Sequence, residues 1–383
     1  MTRIFIEPYL GKTCIGEKER KNLLKVINSK NLFRYQSKGS VSSIVEQKLS
    51  SLLDTENFLL LVNATVALKS SLLAFRPQPG GIVLIPALSY IATANACLSA
   101  GLVPVCLDVD DTGHLCPNEL NNFLYSNKYI PEAVIVVHLD GSGANIQEIK
   151  SICDNFNIPI IEDTAQALYA KRNGKYLGTY GDVGCFSFQE NKLLSTGEGG
   201  AVTAINNDIF EKICAYCDHG ALRNTGIFQS WEKELGFGEN YKANEMQASV
   251  LDAQLDNLGN IVKDLNLNYE SLMDLDLPFI SRNKEDVPIS IWTENNEFKK
   301  NLQAIGIPYY NWEYLYLPDH PIIKNKLSVY SNGFPWVLNN TDWKLSTINA
   351  KRISIQRISI PLYLSDNQKF KTSLLSIRKN YAL

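Results

Sequence analysis

The chain has 383 residues, 45% hydrophobic and 20% charged, with a formal net charge of -3. That balance fits a globular protein long enough for a large domain and a smaller one. It offers no general attraction to nucleic acid or to acidic membranes.

Along the chain, Met1 to Pro8 lack an apolar leader core, so no secretory segment is expected. The most apolar long run, Phe58 to Phe75, is interrupted by Asn63 and Lys69, which argues against a membrane span. Within it, Asn63-Ala64-Thr65 precede a helical run from Val66 to Phe75. From about residue 82 to 205, short apolar runs alternate with helical patterns. Strands are expected at Ile82–Ile85, Val103–Leu107, Ala133–Val137, Ile158–Ile161, Val183–Phe188 and Ala201–Ala204. Helices are expected at Ile91–Ala100, Pro117–Tyr125 and Ile146–Phe156. Such alternation predicts an α/β fold with a mainly parallel central sheet flanked by helices. Ala243–Asn268 carries one apolar stripe and is expected as a single long helix. Beyond it the alternation stops, apart from a strand expected within Ile353–Leu364. A boundary is therefore placed at 255/256, between a large N-terminal domain (1–255) and a smaller C-terminal α/β one (256–383).

The segment that carries most chemistry is Val183 to Lys192, followed by Thr196-Gly197-Glu198-Gly199-Gly200. A lone lysine is usually a solvated surface charge. Here Lys192 lies between an apolar strand and a turn rich in glycine, which permits positive φ and close backbone approach. An amine held there can form a Schiff base with an aldehyde and then shuttle a proton. Asp163 ends another apolar strand. It reads either as a turn aspartate or as the partner of a pyridine nitrogen. Asn63-Ala64-Thr65 reads as an ordinary helix cap or as a phosphate site, because a helix start offers free N–H groups. Ser187 is a second phosphate candidate through its pairing with Lys192. Tyr90 follows a strand and turn, where it is either a core tyrosine or a ring that stacks on a planar cofactor. Lysine, carboxylate and hydroxyls together match what pyridoxal 5'-phosphate (PLP) requires.

Other patterns carry less. Gly141-Ser142-Gly143 lacks the rest of a dinucleotide loop. Cys214 and Cys217 have no second pair, and the four histidines have no metal-ligand spacing, so no metal is expected. The eight cysteines lie mostly in apolar runs and are read as free thiols in a reducing cytoplasm.

These motifs resemble the sugar-aminotransferase family of PLP enzymes, the DegT–StrS type. Ser187 to Gly200 resembles its lysine motif and Glu162 to Gln166 its aspartate motif. Asn63 to Leu68 resembles its phosphate motif, and Tyr90 to Thr93 its aromatic segment. Val137 to Gly141 and Gly238 to Lys242 resemble two further segments. The resemblance runs from about residue 18 to 365. It implies the PLP-dependent transferase fold type I, of aspartate-aminotransferase kind. Lys192 would be the Schiff-base lysine and Asp163 the pyridinium partner, with Gln166 near the ring hydroxyl. Ser187, Ala64, Thr65 and the Asn240 of a second copy would hold the phosphate, which implies a homodimer. The reaction implied moves an amino group from glutamate or glutamine to a keto-sugar. The acceptor would be a nucleotide-linked keto-deoxysugar, a keto-cyclitol or a 3-deoxy-octulosonic acid.

Three departures from the family pattern stand out. Ala64 replaces a glycine and Lys242 an arginine, and Tyr309 to Tyr314 is unusually aromatic. That aromatic stretch, with Asn31 to Tyr35, points toward the keto-cyclitol or octulosonic-acid subgroup. Two alternatives accompany the transaminase reading. One is a regulatory protein on the same fold. The other is a PLP-dependent sugar dehydratase, a class in which histidine replaces the lysine.

Overall fold

The computed structural model describes residues 10, 14–35, 39–126, 129–224, 227–230, 236–339, 341–343, 345–362 and 367–378. Residues Met1 to Pro8, read above for a leader, lie outside that set.

Two helices, α1 (Glu17–Ser29) and α2 (Val41–Leu53), precede the sheet. Next come β1 (Leu59–Leu61), α3 (Ala64–Ala74), β2 (Ile82–Pro86), α4 (Ile91–Ser99), β3 (Val103–Leu107), α5 (Pro117–Ser126), β4 (Ala133–Val137), α6 (Ile146–Phe156) and β5 (Ile160–Asp163). A small hairpin of β6 (Lys171–Arg172) and β7 (Lys175–Tyr176) leads to β8 (Val183–Ser187) and β9 (Gly200–Ala204). The seven-stranded sheet has the order β1-β9-β8-β5-β4-β2-β3. Pairing is parallel from β8 through β3, and antiparallel for β9 against β8 and β1.

Strands β2, β4, β5, β8 and β9 are buried along their whole length. Runs of Val, Ile and Leu therefore replace strict alternation, because helices cover both faces. Successive residues still point to opposite sides. Leu84, Val105, Val136 and Ile160 join one core layer, while Val83, Ile85, Ile135 and Ile161 join the other. The parallel strands β2, β4, β5 and β8 bring their carboxyl ends to one edge, where ligands of such sheets bind.

After β9 come α7 (Asn207–Tyr216) and the short hairpin β10 (Leu222–Asn224) and β11 (Ile227–Ser230). The single helix expected over Ala243–Asn268 is instead two, α8 (Glu245–Leu255) and α9 (Leu258–Met273). The helical hydrogen bonding breaks at Asp256 and Asn257, and the apolar stripe simply continues in phase. α8 packs on α1 and α2.

The β-α alternation also continues beyond residue 256, contrary to expectation. β12 (Ser290–Thr293), α10 (Asn296–Ile305), β13 (Tyr310–Asn311), the one-turn α11 (Pro321–Lys324), α12 (Ile348–Gln356), β14 (Ile358–Pro361) and α13 (Asn367–Arg378) follow in turn. β14 lies between β12 and β13 in an antiparallel sheet. The strand expected within Ile353–Leu364 is thus shorter. Residues 353–356 close a helix, 358–361 form the strand, and 363–364 lie outside the described residues.

Candidate active site

The site is built from the ends of strands. Asp163 is the last residue of β5 and Ser187 the last of β8. Behind Asp163, the fully buried Glu162 carboxylate accepts four hydrogen bonds. They come from the N–H groups of Gly178 (2.8 Å), Tyr180 (2.6 Å) and Gly181 (2.7 Å) and from His138 Nε2 (2.9 Å). Buried charge is tolerated when it is satisfied in this way. His138 Nδ1 accepts from the Ala144 N–H at 3.1 Å, which places the ring proton on Nε2. This network ties β5 to β4 and to the loop before β8.

Lys192 sits on the loop from 188 to 199, which joins antiparallel β8 and β9. Backbone bonds from Phe188 to Gly199, from Glu190 to Gly197 and from Thr196 to Phe188 close it. Gly197 adopts a left-handed φ of +82°. The buried Gln254 of α8 grips the loop twice, accepting from Ser195 N–H at 2.8 Å and donating to its carbonyl at 2.6 Å. At Gly200 a Cβ would stand 2.6 Å from Ala64 N. Only glycine lets β9 begin against the start of α3.

That start is a cap with two N–H groups to spare. Asn63 Oδ1 accepts from Val66 N–H at 3.0 Å. Ala64 and Thr65, the first two residues of α3, make no backbone N–H bond among the described residues. Both line a cavity of about 470 Å3.

The same cavity is lined by Tyr90, Asp163, Gln166, Ser187 and Lys192. The structure thus brings together seven of the eight site residues singled out above. Asn240 stands apart. It is exposed, pairs with Asp218 in an isolated bridge, and does not line the cavity.

Electrostatics at the two central groups follow from burial. The Lys192 amine makes no hydrogen bond among the described residues. Burial pushes its pKa down, against the attraction of Asp163 and Asp140. Burial likewise pushes Asp163 up, against its hydrogen bonds from Thr93 and Ala165 and the attraction of Lys192. Thr93 Oγ1 donates to Asp163 Oδ2 at 2.9 Å, and the Ala165 N–H meets Oδ1 at 3.2 Å. Each group is held nearer its neutral form than it would be in water. A protonated ring nitrogen brought beside Asp163 would restore the carboxylate.

These residues fit PLP. Two helix N–H groups and the Ser187 hydroxyl suit a phosphate, an amine with no hydrogen bond among the described residues suits its aldehyde, and a buried carboxylate suits its ring nitrogen. Gln166 Oε1 accepts from the Asp140 N–H at 2.9 Å, which leaves its amide N–H2 to donate.

Sequence reasoning missed Thr93, Gln254 and Asp140. Thr93 sat inside a recognised motif, but its role appears only when α4 is laid beside β5. The departures noted above also find places. Lys242 forms a buried ion pair with Asp218. Arg34 pairs with Glu46 at 2.8 Å, largely buried, so it serves the interior. Of the aromatic stretch, Tyr310 and Tyr314 line the cavity. Trp312 is buried, with its Nε1 on Ser359 Oγ at 2.8 Å. Among the described residues no cluster of three potential metal ligands occurs, and no helix is long and apolar enough to cross a membrane.

A family model, the DegT/DnrJ/EryC1/StrS aminotransferase family, matches residues 13–276. Among curated relatives, GDP-perosamine synthase of Escherichia coli O157:H7 is 31% identical over 227 residues, 59% of this chain and 60% of that one. A putative L-glutamine:3-amino-2,3-dideoxy-scyllo-inosose aminotransferase of Micromonospora echinospora is 29% identical, covering 67% of this chain and 60% of its own. The chain therefore matches about 60% of the length of these relatives. In fold, it superposes on an aminotransferase, TlmJ, from Streptoalloteichus hindustanus with a TM-score of 0.80 at 21% identity, covering 99% of both chains. Helicobacter pylori PseC, an aminotransferase of pseudaminic acid biosynthesis, gives 0.79 at 20% identity, covering 98% of this chain and 100% of that one.

Proposed function

The chain belongs to the DegT/DnrJ/EryC1/StrS aminotransferase family, and from that membership we propose a PLP-dependent transfer of an amino group from glutamate or glutamine to a keto-sugar in amino-sugar biosynthesis. One observation carries the reading. A lysine amine and a buried carboxylate share a cavity with the two N–H groups that open α3, the amine and the N–H groups making no hydrogen bond among the described residues.

When bound, the cofactor supplies the electron sink for a carbanion. The chain does the rest. Lys192 Nζ would hold the cofactor's aldehyde end, and its depressed pKa leaves an amine able to take up and return a proton. Asp163 would keep the ring nitrogen protonated, and Thr93 fixes that carboxylate. The Gln166 amide would donate to the ring hydroxyl, and Tyr90 would pack against the ring. Ala64, Thr65 and Ser187 would hold the phosphate.

The relatives' names include a nucleotide-linked sugar and a cyclitol, which supports a ring ketone as acceptor. Lysine at 192 disfavours the dehydratase reading, and the intact cavity disfavours a purely regulatory protein. The position of Asn240, away from the cavity of its own chain, supports a homodimer in which it reaches the partner's phosphate site. The break between α8 and α9 supports the division at 255/256 into a large domain and a small one. Eight cysteines without a disulfide support a cytoplasmic protein.

The test is direct. Purified protein given PLP should acquire visible absorbance, and borohydride should then fix the label on Lys192, read by peptide mapping. L-glutamate or L-glutamine should discharge the absorbance. A label on another lysine, or absorbance untouched by both donors, would overturn the reading.

A further inference from the structure

The cavity holds a carboxylate that these roles do not use. Asp140 follows β4 in a left-handed conformation, φ 53°, a region that aspartate tolerates better than most residues. Its Oδ2 accepts from Trp292 Nε1 (2.5 Å), Ser359 Oγ (2.6 Å), Ser290 Oγ and Arg282 Nη2 (3.3 Å). Arg282 Nη1 also donates to the Asp140 carbonyl, and the Arg282 guanidinium lies 3.8 Å over the Trp292 ring. The next residue, Gly141, presses so closely on Val287 that a Cβ would collide with its carbonyl. The C-terminal sheet, through β12 and β14, therefore holds Asp140 rigidly by one oxygen.

The other oxygen is free. Oδ1 accepts no hydrogen bond among the described residues and is not among their sealed, unpartnered atoms. Asp140 lines the cavity together with Tyr310 and Tyr314. Tyr314 is 57% exposed. Partial burial within the cavity pushes its phenol up to about 12, with Asp140, Tyr310 and Tyr90 adding to the rise, so these groups share one neighbourhood. The charged residues among the described lining are Lys192, Asp140, Asp163 and Glu198. Three carboxylates face one amine.

Resting on the transaminase reading above, the geometry points to Asp140 Oδ1 as the group that reads the acceptor ring. It accepts hydrogen bonds from hydroxyl or ammonium substituents of a saturated ring lying against Tyr314. It also rejects a ring that carries a carboxylate there. Among the three acceptor classes, this favours neutral or amino-bearing rings over the sugar acid. A charge-assisted hydrogen bond with this geometry discriminates by roughly tenfold or more.

The test uses PLP-loaded protein and two probe series. One is UDP-glucose, UDP-glucosamine and UDP-glucuronate, and the other the three corresponding methyl glycosides. Calorimetric titration and ligand-observed NMR give the affinities. In at least one series the glucosyl and glucosaminyl rings should bind about tenfold or more tighter than the glucuronyl ring. Asp140→Asn keeps an oxygen for the strand donors and turns an N–H2 toward the cavity, so the ratio should fall to about one or invert. Tyr314→Ala should weaken every ring and leave the ratio unchanged. The inference is overturned by a glucuronyl ring that binds as well as the others, by a ratio that survives Asp140→Asn, or by no binding in either series. Should Asp140→Asn fail to load PLP, the wild-type ratio alone decides. Cofactor absorbance that glutamate and glutamine leave untouched would sink the transaminase reading, and the ring preference would be judged separately.

Discussion

At Lys192 burial works against the ammonium, and at Asp163 it works against the carboxylate. Each group is thereby held nearer its neutral form, and a protonated ring nitrogen beside the aspartate would restore its charge. Asp163→Asn tests this. Asparagine keeps the size, but its one amide oxygen can accept from only one of Thr93 and Ala165, and it has no charge to hold the nitrogen protonated. If that charge lowers the barrier by a few kcal/mol, the rate of amino transfer should fall roughly 100-fold or more, at about 1.4 kcal/mol per tenfold. Single-turnover kinetics with glutamate, following the loss of visible absorbance, would measure it. Near wild-type turnover would show that Asp163 does not face the ring. At this scale the sequence was legible where chemistry and local backbone coincide. Lys192 is flanked by a strand and a glycine turn, and Asp163 ends a strand. It was not legible at Asp140 or Gln254, whose partners lie far along the chain. Asp140 meets Trp292 and Ser359, and Gln254 meets Ser195.

At the scale of elements, the phosphate end of the site depends on how closely β9 approaches α3. Gly200→Ala should destabilise the fold by about 1–3 kcal/mol, because the new methyl forces the Asn63–Ala64 backbone away. PLP affinity should fall with it, since the displaced atoms carry the free N–H groups. Chemical denaturation and a cofactor titration of the same protein measure both effects. Unchanged affinity in a destabilised variant would separate the packing from the phosphate site. The central strands were readable because parallel strands buried on both faces appear as short runs of Val, Ile and Leu. The C-terminal region misled for two reasons. Ile353 and Ile355, and then Ile358 and Ile360, stand two apart in the sequence, yet Arg357 between the two pairs divides a helix from a strand. The apolar stripe of α8 and α9 runs across their junction, because both helices pack against the same core layer.

At the scale of the whole molecule, the homodimer carries its own expectation. If Asn240 serves the partner's site, mixing Lys192→Ala protein with an Asn240→Ala variant under subunit exchange should restore activity. Each heterodimer then has one site with both lesions and one with neither. Activity that stays at the parental level after proven exchange would mean that each site is built from one chain. The C-terminal sheet has a consequence of another kind. Its middle strand, β14, is the last to be made, and Ser359 reaches Asp140 across 219 positions. On a ribosome adding about 5–20 residues per second, Asp140 waits roughly ten to forty seconds for that serine. Lys192 and the start of α3 emerge well before it. A nascent chain can therefore own its lysine and phosphate cradle while the wall that chooses the acceptor is still unmade. Cofactor capture during translation is open to it, and substrate selection waits for β14.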